Sequence, residues 1–152
     1  VRLIHARKGV DRAAMMFQRE LALRLLAEPG GKEYGRLTAM LRYCADVEPL
    51  ARVNAPLFYP RPKVDSEVLM IRFRETPALP AEDEGFLFRV IKAAFGQRRK
   101  NLKNALSGSD LRIPPETART ALEAADIDPI RRAETLTVPE FVELSHRIRE
   151  LR

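Results

Sequence analysis

The stretch Glu67-Val68-Leu69-Met70-Ile71-Arg72-Phe73-Arg74 sets the architecture expected of the first half of the chain. Its four central apolar residues are consecutive, and consecutive side chains of a strand point to opposite faces. This pattern predicts a strand that is covered on both sides. A second strand is predicted over residues 46–53. Pro49 has no N–H to donate, so this strand is expected at a sheet edge or with a bulge.

Upstream of these strands, residues 12–17 are predicted to form a short buried strand that leads into a helix. Phe17, Leu21 and Leu25 repeat every four residues along it. A second helix, residues 36–44, places apolar residues on one face, and Cys44 is among them. That position favours a core cysteine over a nucleophile. Strands that alternate with helices indicate part of an α/β layer structure.

Residues 75–84 are rich in proline and acidic residues, which predicts a linker at a domain boundary. Beyond it, helices are predicted over about 86–95, 98–106 and 115–125. A fourth begins near Val138 after the capping box Thr137-Val138-Pro139-Glu140. Its buried stripe is predicted to comprise Phe141, Leu144, Ile148 and Leu151. The predicted fold is an α/β fragment (1–75), then a linker (76–84) and a small all-α domain (85–152).

Composition narrows the classes of function. The single cysteine excludes an internal disulfide and fits a reducing compartment, and no run of about 18 apolar residues is present to span a membrane. The first residues lack a secretory signal pattern, so a cytoplasmic protein is expected. His5, His146 and one cysteine do not reach a familiar metal-binding spacing, so no metal site is predicted.

The excess positive charge is concentrated in one segment. The net charge is +6, yet residues 85–109 contain no acidic residue. Their basic residues are Arg89, Lys92, Arg98, Arg99, Lys100 and Lys103. On the predicted helix, Arg99 and Lys103 share a face, and Asn101 and Asn104 add neutral donors. This pattern favours a phosphate-binding surface, with a solvated helix face as the alternative.

The segment Phe58-Tyr59-Pro60-Arg61-Pro62-Lys63 joins an aromatic residue to a stiff proline turn. An exocyclic adenine amine is a poor nucleophile, so an enzyme that alkylates it must take the base from its stack and clamp it. An aromatic ring on a fixed turn suits that task, because stacking stabilises a bound base by about 1–3 kcal/mol. An aromatic plug at the rim of a sheet is the alternative.

These segments resemble those of the KsgA-type rRNA adenine dimethyltransferases. Residues 58–66 resemble that family's motif of an aromatic residue, a proline pair and Lys-Val-Asp-Ser. Four further segments match in the family's order: Phe17-Gln18-Arg19-Glu20, Lys32-Glu33-Tyr34-Gly35-Arg36-Leu37, Phe95-Gly96-Gln97-Arg98-Arg99-Lys100 and Arg132-Ala133-Glu134-Thr135-Leu136. The resemblance covers about residues 10–150.

The resemblance implies an S-adenosylmethionine-dependent enzyme that dimethylates two adjacent adenines near the 3′ end of small-subunit rRNA and that acts in ribosome assembly. Its partners would be that rRNA and the immature small subunit. Phe58 would stack on the target adenine, with Pro60, Pro62 and Lys63 around it. The RNA-binding residues would be Arg98, Arg99 and Lys100, and Lys103 is added to them from its place on the predicted basic helix. Residues 1–75 would be the C-terminal part of a Rossmann-like methyltransferase domain, and residues 85–152 would be a helical rRNA-binding domain.

The chain departs from the family in its cofactor-binding part. It has no Gly-x-Gly turn and no Asn-Leu-Pro-Tyr segment. The segment Asn54-Ala55-Pro56-Leu57 is only superficially similar to the second of these, because it stands at a different place in the order and lacks the aromatic residue. We therefore expect that the cofactor-binding half was removed by cloning or proteolysis, and that the chain alone neither binds S-adenosylmethionine nor methylates RNA. No catalytic or cofactor-binding residue is assigned. The alternatives are a non-catalytic RNA- or ribosome-binding module, an Erm-type large-subunit rRNA methyltransferase, and a structural helical domain with an incidental basic face.

Overall fold

A single antiparallel sheet of three strands occupies the first half of the computed structural model, which describes residues 4, 7–97 and 99–152. The strands are β1 (Arg12–Gln18), β2 (Ala45–Val53) and β3 (Ser66–Phe73). Their order is β1-β3-β2, so β3 is central and pairs with both neighbours. The three predicted strands are therefore present, and the apolar residues 68–71 lie in the central strand.

Among the described residues, only one face of this sheet is covered. Leu69 and Ile71 of β3 are buried, whereas Val68 and Met70 on the opposite face are half-buried. Met16, which lies opposite Val68, is 52% exposed. The prediction that β3 is covered on both sides is therefore wrong. A run of apolar residues is compatible with either situation, because periodicity does not reveal how many layers pack on a strand.

The first strand is also more exposed than predicted. Residues 12–17 were expected to be a buried strand, but β1 is an edge strand whose side chains are exposed or half-buried. Phe17 packs against the core, while Arg12 lies opposite Arg72 at the far end of the strand. Small and apolar residues gave β1 the composition of a buried strand, but its place at the edge leaves most of them in contact with solvent.

The prediction for the second strand is confirmed. β2 is the other edge of the sheet, and its register with β3 shifts between Pro49 and Ala51. Pro49 lies opposite Leu69, and Ala51 lies opposite Val68. Because proline cannot donate a ladder hydrogen bond, an irregular edge strand accommodates it at little cost.

Six α-helices are found among the described residues. They are α1 (Arg19–Leu26), α2 (Arg36–Cys44), α3 (Glu84–Phe95), α4 (Leu102–Ser107), α5 (Pro115–Ala124) and α6 (Val138–Glu150). α2 has the predicted bounds, and Cys44 at its end is fully buried. Its thiol donates weakly to the carbonyl oxygens of Met40 and Leu41 at 3.5 Å. Burial raises the pKa of Cys44 to about 11, so the residue is a core thiol as predicted.

The predicted capping box begins α6. The Thr137 hydroxyl accepts a hydrogen bond from the Glu140 N–H at 3.4 Å, and the Glu140 carboxylate accepts one from the Thr137 N–H at 2.7 Å. Arg131 also pairs with Glu140. Three of the four predicted stripe residues are buried, but Leu151 follows the end of the helix and is 44% exposed. The buried stripe therefore ends at Ile148, one turn earlier than the spacing of apolar residues predicts.

The two halves of the chain share one core. Buried side chains of the sheet, such as Leu69, belong to the same cluster as Phe86 of α3 and Phe141 of α6. Helix α3 begins at the N-cap Asp83, whose carboxylate accepts from the Phe86 N–H. The division into residues 1–75, 76–84 and 85–152 stays a prediction. What the packing shows is that α2 lies against α3 and α6 across the predicted linker, while the sheet lies against α1 and α2.

Candidate nucleic-acid interface

The residues between β2 and β3, 54–65, form a loop that we call the aromatic loop. It opens with a 3₁₀ turn, Ala55–Leu57, and is closed at its base by Asp65. The Asp65 carboxylate accepts from the Ala55 N–H at 2.9 Å and pairs with Arg52 at 2.7 Å. The hydrogen bond from Arg52, and to a smaller extent the one from the Ala55 N–H, hold the pKa of Asp65 below its usual range. The loop is therefore tied to β2 at both ends.

The predicted target-base residues all lie in this loop. Phe58 is half-buried, whereas its neighbour Tyr59 is fully exposed and precedes a cis peptide bond to Pro60. Pro60 is exposed and Pro62 is half-buried. Lys63 is exposed and forms no ion pair with any residue that the structure describes. The loop thus holds one aromatic ring partly in the protein and presents another to solvent.

An open cleft of about 510 Å³ lies between the aromatic loop and the start of α1. Lys63 and Val64 line it from the loop, and Arg19 and Leu23 line it from α1. The Arg19 N–H donates to the Asp65 carbonyl at 3.0 Å and joins the two sides. The sequence placed Arg19 in a helix-start motif only, so its position in this cleft was not predicted.

The basic run differs from its prediction. Arg98 lies outside the described residues, and Arg99 and Lys100 lie in a turn before α4. The helix starts at Leu102, because the Asn101 side chain accepts from the Asn104 N–H at 3.0 Å and caps it. The predicted helix over 98–106 is therefore wrong at its start. Arg99 and Lys103 do not share a helix face.

Pairing removes part of the expected positive surface. Lys92 forms an ion pair with Asp110 at 2.6 Å, an acidic residue just beyond the segment 85–109. The Arg89 guanidinium lies over the Phe86 ring, 5.1 Å from its centroid. Counting charges along the sequence could not show either partner. Within the described part of the chain, Arg99, Lys100 and Lys103 remain without an ion pair.

Arg132 adds a cation that the sequence prediction missed. The Leu102 N–H donates to the Arg131 carbonyl at 2.8 Å, and the Lys103 N–H donates to the Pro129 carbonyl at 3.3 Å. These bonds place residues 129–132 against the start of α4. The Arg132 side chain is exposed and has no ion pair among the described residues. We call Arg99, Lys100, Lys103 and Arg132 the basic surface.

Other kinds of site find no support in the described residues. No group of three or more histidine, cysteine, aspartate or glutamate side chains there could hold a metal ion. In the same part of the chain, no helix has both the length and the apolar content needed to cross a membrane. In the part of the chain that the structure describes, the aromatic loop, its cleft and the basic surface are where accessible aromatic and cationic side chains lie together.

The fold places the chain among proteins of known structure. A dimethyladenosine transferase from Plasmodium falciparum is similar over 98% of this chain and 61% of its own, with a TM-score of 0.80 and 23% identity. The 23S rRNA methyltransferase ErmE is similar over 91% of this chain and 55% of its own, with a TM-score of 0.59 and 25% identity. The chain therefore shares its fold with parts of these two proteins.

The family is given by the sequence. Residues 1–150 match the family model of the ribosomal RNA adenine dimethylases, and the chain belongs to that family. The ribosomal RNA small subunit methyltransferase A of Desulforapulum autotrophicum is 48% identical over 94% of this chain and 50% of its own length. The protein of that name from Moorella thermoacetica is 43% identical over 94% of this chain and 49% of its own length. The one from Myxococcus xanthus is 45% identical over 92% of this chain and 50% of its own length. The chain thus spans about half the length of the curated relatives it matches.

Proposed function

We propose that this chain is the part of an S-adenosylmethionine-dependent rRNA dimethyltransferase that holds the target adenine and binds the RNA. The enzyme would dimethylate two adjacent adenines near the 3′ end of small-subunit rRNA in the cytoplasm, with a role in small-subunit biogenesis. The observation that carries the proposal is the aromatic loop, whose half-buried Phe58 lies on a segment tied down by Asp65. Membership of the family supports it.

The loop residues have distinct roles in this proposal. Phe58 stacks on an adenine that has left its helical stack, which is worth about 1–3 kcal/mol per base. Pro60 and Pro62 keep the loop in one shape, so less conformational entropy is lost when RNA binds. Lys63, exposed and without an ion pair among the described residues, contributes positive charge beside the base.

The basic surface has a separate role, which is to hold the rRNA by its phosphates. Single-stranded loops and helical phosphates are the parts of RNA that proteins bind most readily. Exposed cations without acidic partners suit this task, because they lose no ion pair when they meet a phosphate. Arg98 belongs to the same proposal, although it lies outside the described residues.

The cofactor site is not assigned to residues of this chain. A nucleotide-type cofactor needs close backbone approach, which a glycine-rich turn allows, and the sequence contains no Gly-x-Gly. Among the described glycines, Gly30 has a positive φ of 92°, but its N–H donates to the Glu134 carbonyl at 2.7 Å and so ties the turn after α1 to the 3₁₀ turn Ala133–Thr135. S-adenosylmethionine, which supplies the methyl groups, is proposed to bind residues outside these 152.

A non-catalytic module that binds RNA or ribosomes is the second candidate. The cations of the basic surface, which have no ion pair among the described residues, favour it, since they need no catalytic centre to bind RNA. Reading the coding sequence upstream of Val1 separates the two. A glycine-rich turn and an Asn-x-Pro-aromatic segment there would support the enzyme, and their absence would support the module.

Binding to ribosomal subunits tests the proposed substrate. We expect the chain to sediment with immature small subunits and not with large subunits at the same concentration and salt. An Erm-type protein would show the opposite preference. Equal sedimentation with both subunits, or with neither, would contradict the proposal.

A further inference from the structure

We propose that Arg19 and Lys63 together bind a phosphate that flanks the target adenine, so that the cleft beside the aromatic loop holds the RNA backbone while Phe58 holds the base. This proposal rests on the proposed function and deepens it. The two cations line the cleft from opposite sides, one from α1 and one from the loop. Neither side chain forms an ion pair within the described part of the chain.

The carboxylates of the cleft already have partners. Arg24 pairs with Glu20 at 2.7 Å and with Glu33 at 3.5 Å, and Asp65 pairs with Arg52 at 2.7 Å. These three carboxylates line the same cleft as Arg19 and Lys63. Arg24 and Arg52 offset two of these three negative charges, and Arg19 also acts electrostatically on the Asp65 carboxylate. With Arg19 and Lys63 included, four cations face three carboxylates, so the cleft keeps one net positive charge for an anion.

A second cleft shows that this arrangement is not a general property of the surface. It has a similar volume, about 530 Å³, and it is also lined by two arginines, Arg7 and Arg74. There, however, Arg7 pairs with Glu84 and Arg74 pairs with Asp46. An anion in that cleft would have to displace a carboxylate, whereas an anion between Arg19 and Lys63 would not.

The walls of the cleft suit a nucleotide better than a simple anion. Leu23 and Val64, which are 44% and 47% exposed, lie beside the two cations. A nucleotide combines a charged phosphate with the C–H groups of its ribose and the π-face of its base, which can pack on apolar side chains, so it would cover both kinds of wall. This combination favours an RNA strand over free inorganic phosphate.

The cleft keeps a fixed relation to the aromatic loop. The Arg19 N–H donates to the Asp65 carbonyl, and the Asp65 carboxylate binds the Ala55 N–H three residues before Phe58. The start of α1, the cleft and the aromatic ring therefore belong to one hydrogen-bonded unit. Such a unit can position a backbone phosphate relative to a stacked base before RNA arrives.

The test uses an RNA hairpin with two adjacent unpaired adenines. It is compared with a set of modified hairpins, in each of which one phosphate linkage beside these adenines is replaced by a neutral methylphosphonate. Arg19→Ala is expected to weaken binding of the unmodified hairpin about tenfold, since the charge-assisted contact to the phosphate is lost, and to reduce the salt slope by about one. With the methylphosphonate at the contacted linkage, wild type and Arg19→Ala should bind equally.

Arg12→Ala is the matched control. Arg12 lies at the far end of β1, is exposed and also has no ion pair among the described residues, so the change in charge is the same. The proposal is overturned if Arg19→Ala binds like Arg12→Ala, or if its loss persists with every methylphosphonate. If wild type prefers the hairpin no more than a duplex of equal length, the proposed function fails as well. This failure of the proposed function is distinguishable from a failure of the phosphate site, because it is measured with the wild-type chain alone.

Discussion

Replacing Arg99 and Lys100 together with glutamate is expected to weaken strongly the salt-sensitive binding of this chain to immature small ribosomal subunits. Both residues are exposed in the turn before α4, and both lack ion pairs among the described residues. Losing two phosphate contacts should lower the slope of log affinity against log salt by about two. Like charges facing RNA phosphates should weaken binding further. Sedimentation across a salt series measures both quantities.

The control for this variant is Arg12→Glu with Arg36→Glu. These arginines are exposed and unpaired in the described part of the chain, and they lie in the first half, outside the basic surface. The net charge changes equally. The control protein should keep its binding and its salt slope. If both double variants lose binding to the same extent, total charge and not the basic surface controls the interaction.

Replacing Phe58 with alanine should weaken binding of the adenine hairpin by about tenfold or more. Stacking of one base on an aromatic ring accounts for about 1–3 kcal/mol, and the alanine side chain cannot replace it. Phe58 is half-buried, so part of its ring already packs on the protein and the exposed part is available to a base. Fluorescence of 2-aminopurine at the target position reports stacking directly, because stacking quenches it.

Leu57→Ala separates this effect from general damage to the loop. Leu57 is the preceding residue, is 76% exposed and ends the 3₁₀ turn. Its variant should bind RNA and quench 2-aminopurine as the wild type does. Thermal unfolding of both variants shows whether the fold is intact. Equal behaviour of Phe58→Ala and Leu57→Ala would remove Phe58 from the site.

Local chemistry explains where sequence reasoning succeeded. The start of α6 was predictable because Thr137 and Glu140 satisfy each other's backbone N–H groups, whatever packs on the helix. The edge position of β2 followed from Pro49, which lacks a donor. The burial of Cys44 followed from its place on the apolar face of α2. In each case, residues close in the chain determine the outcome.

The failures have a common cause, which is that the deciding partner lies elsewhere in the chain or in the fold. The exposure of β1 depends on its edge position in the sheet. The availability of Lys92 to a phosphate depends on its ion pair with Asp110. The aromatic loop was predictable as a motif, but the cleft beside it forms only where Arg19 meets the loop at Asp65. Helix α4 is the exception, since Asn101 offered a local N-cap signal that charge spacing obscured.

Photo-crosslinking of the target adenine tests the central claim most directly. Immature small subunits would be assembled with 8-azidoadenine at one of the two adjacent adenines near the 3′ end of the rRNA. They would then be bound to the wild-type chain and irradiated, and the linked peptide would be identified by mass spectrometry. We predict that the crosslink falls on the aromatic loop, at or beside Phe58. A crosslink confined to the helices after residue 84, or an equal yield from an adenine elsewhere in the rRNA, would contradict the assignment of the loop as the adenine site.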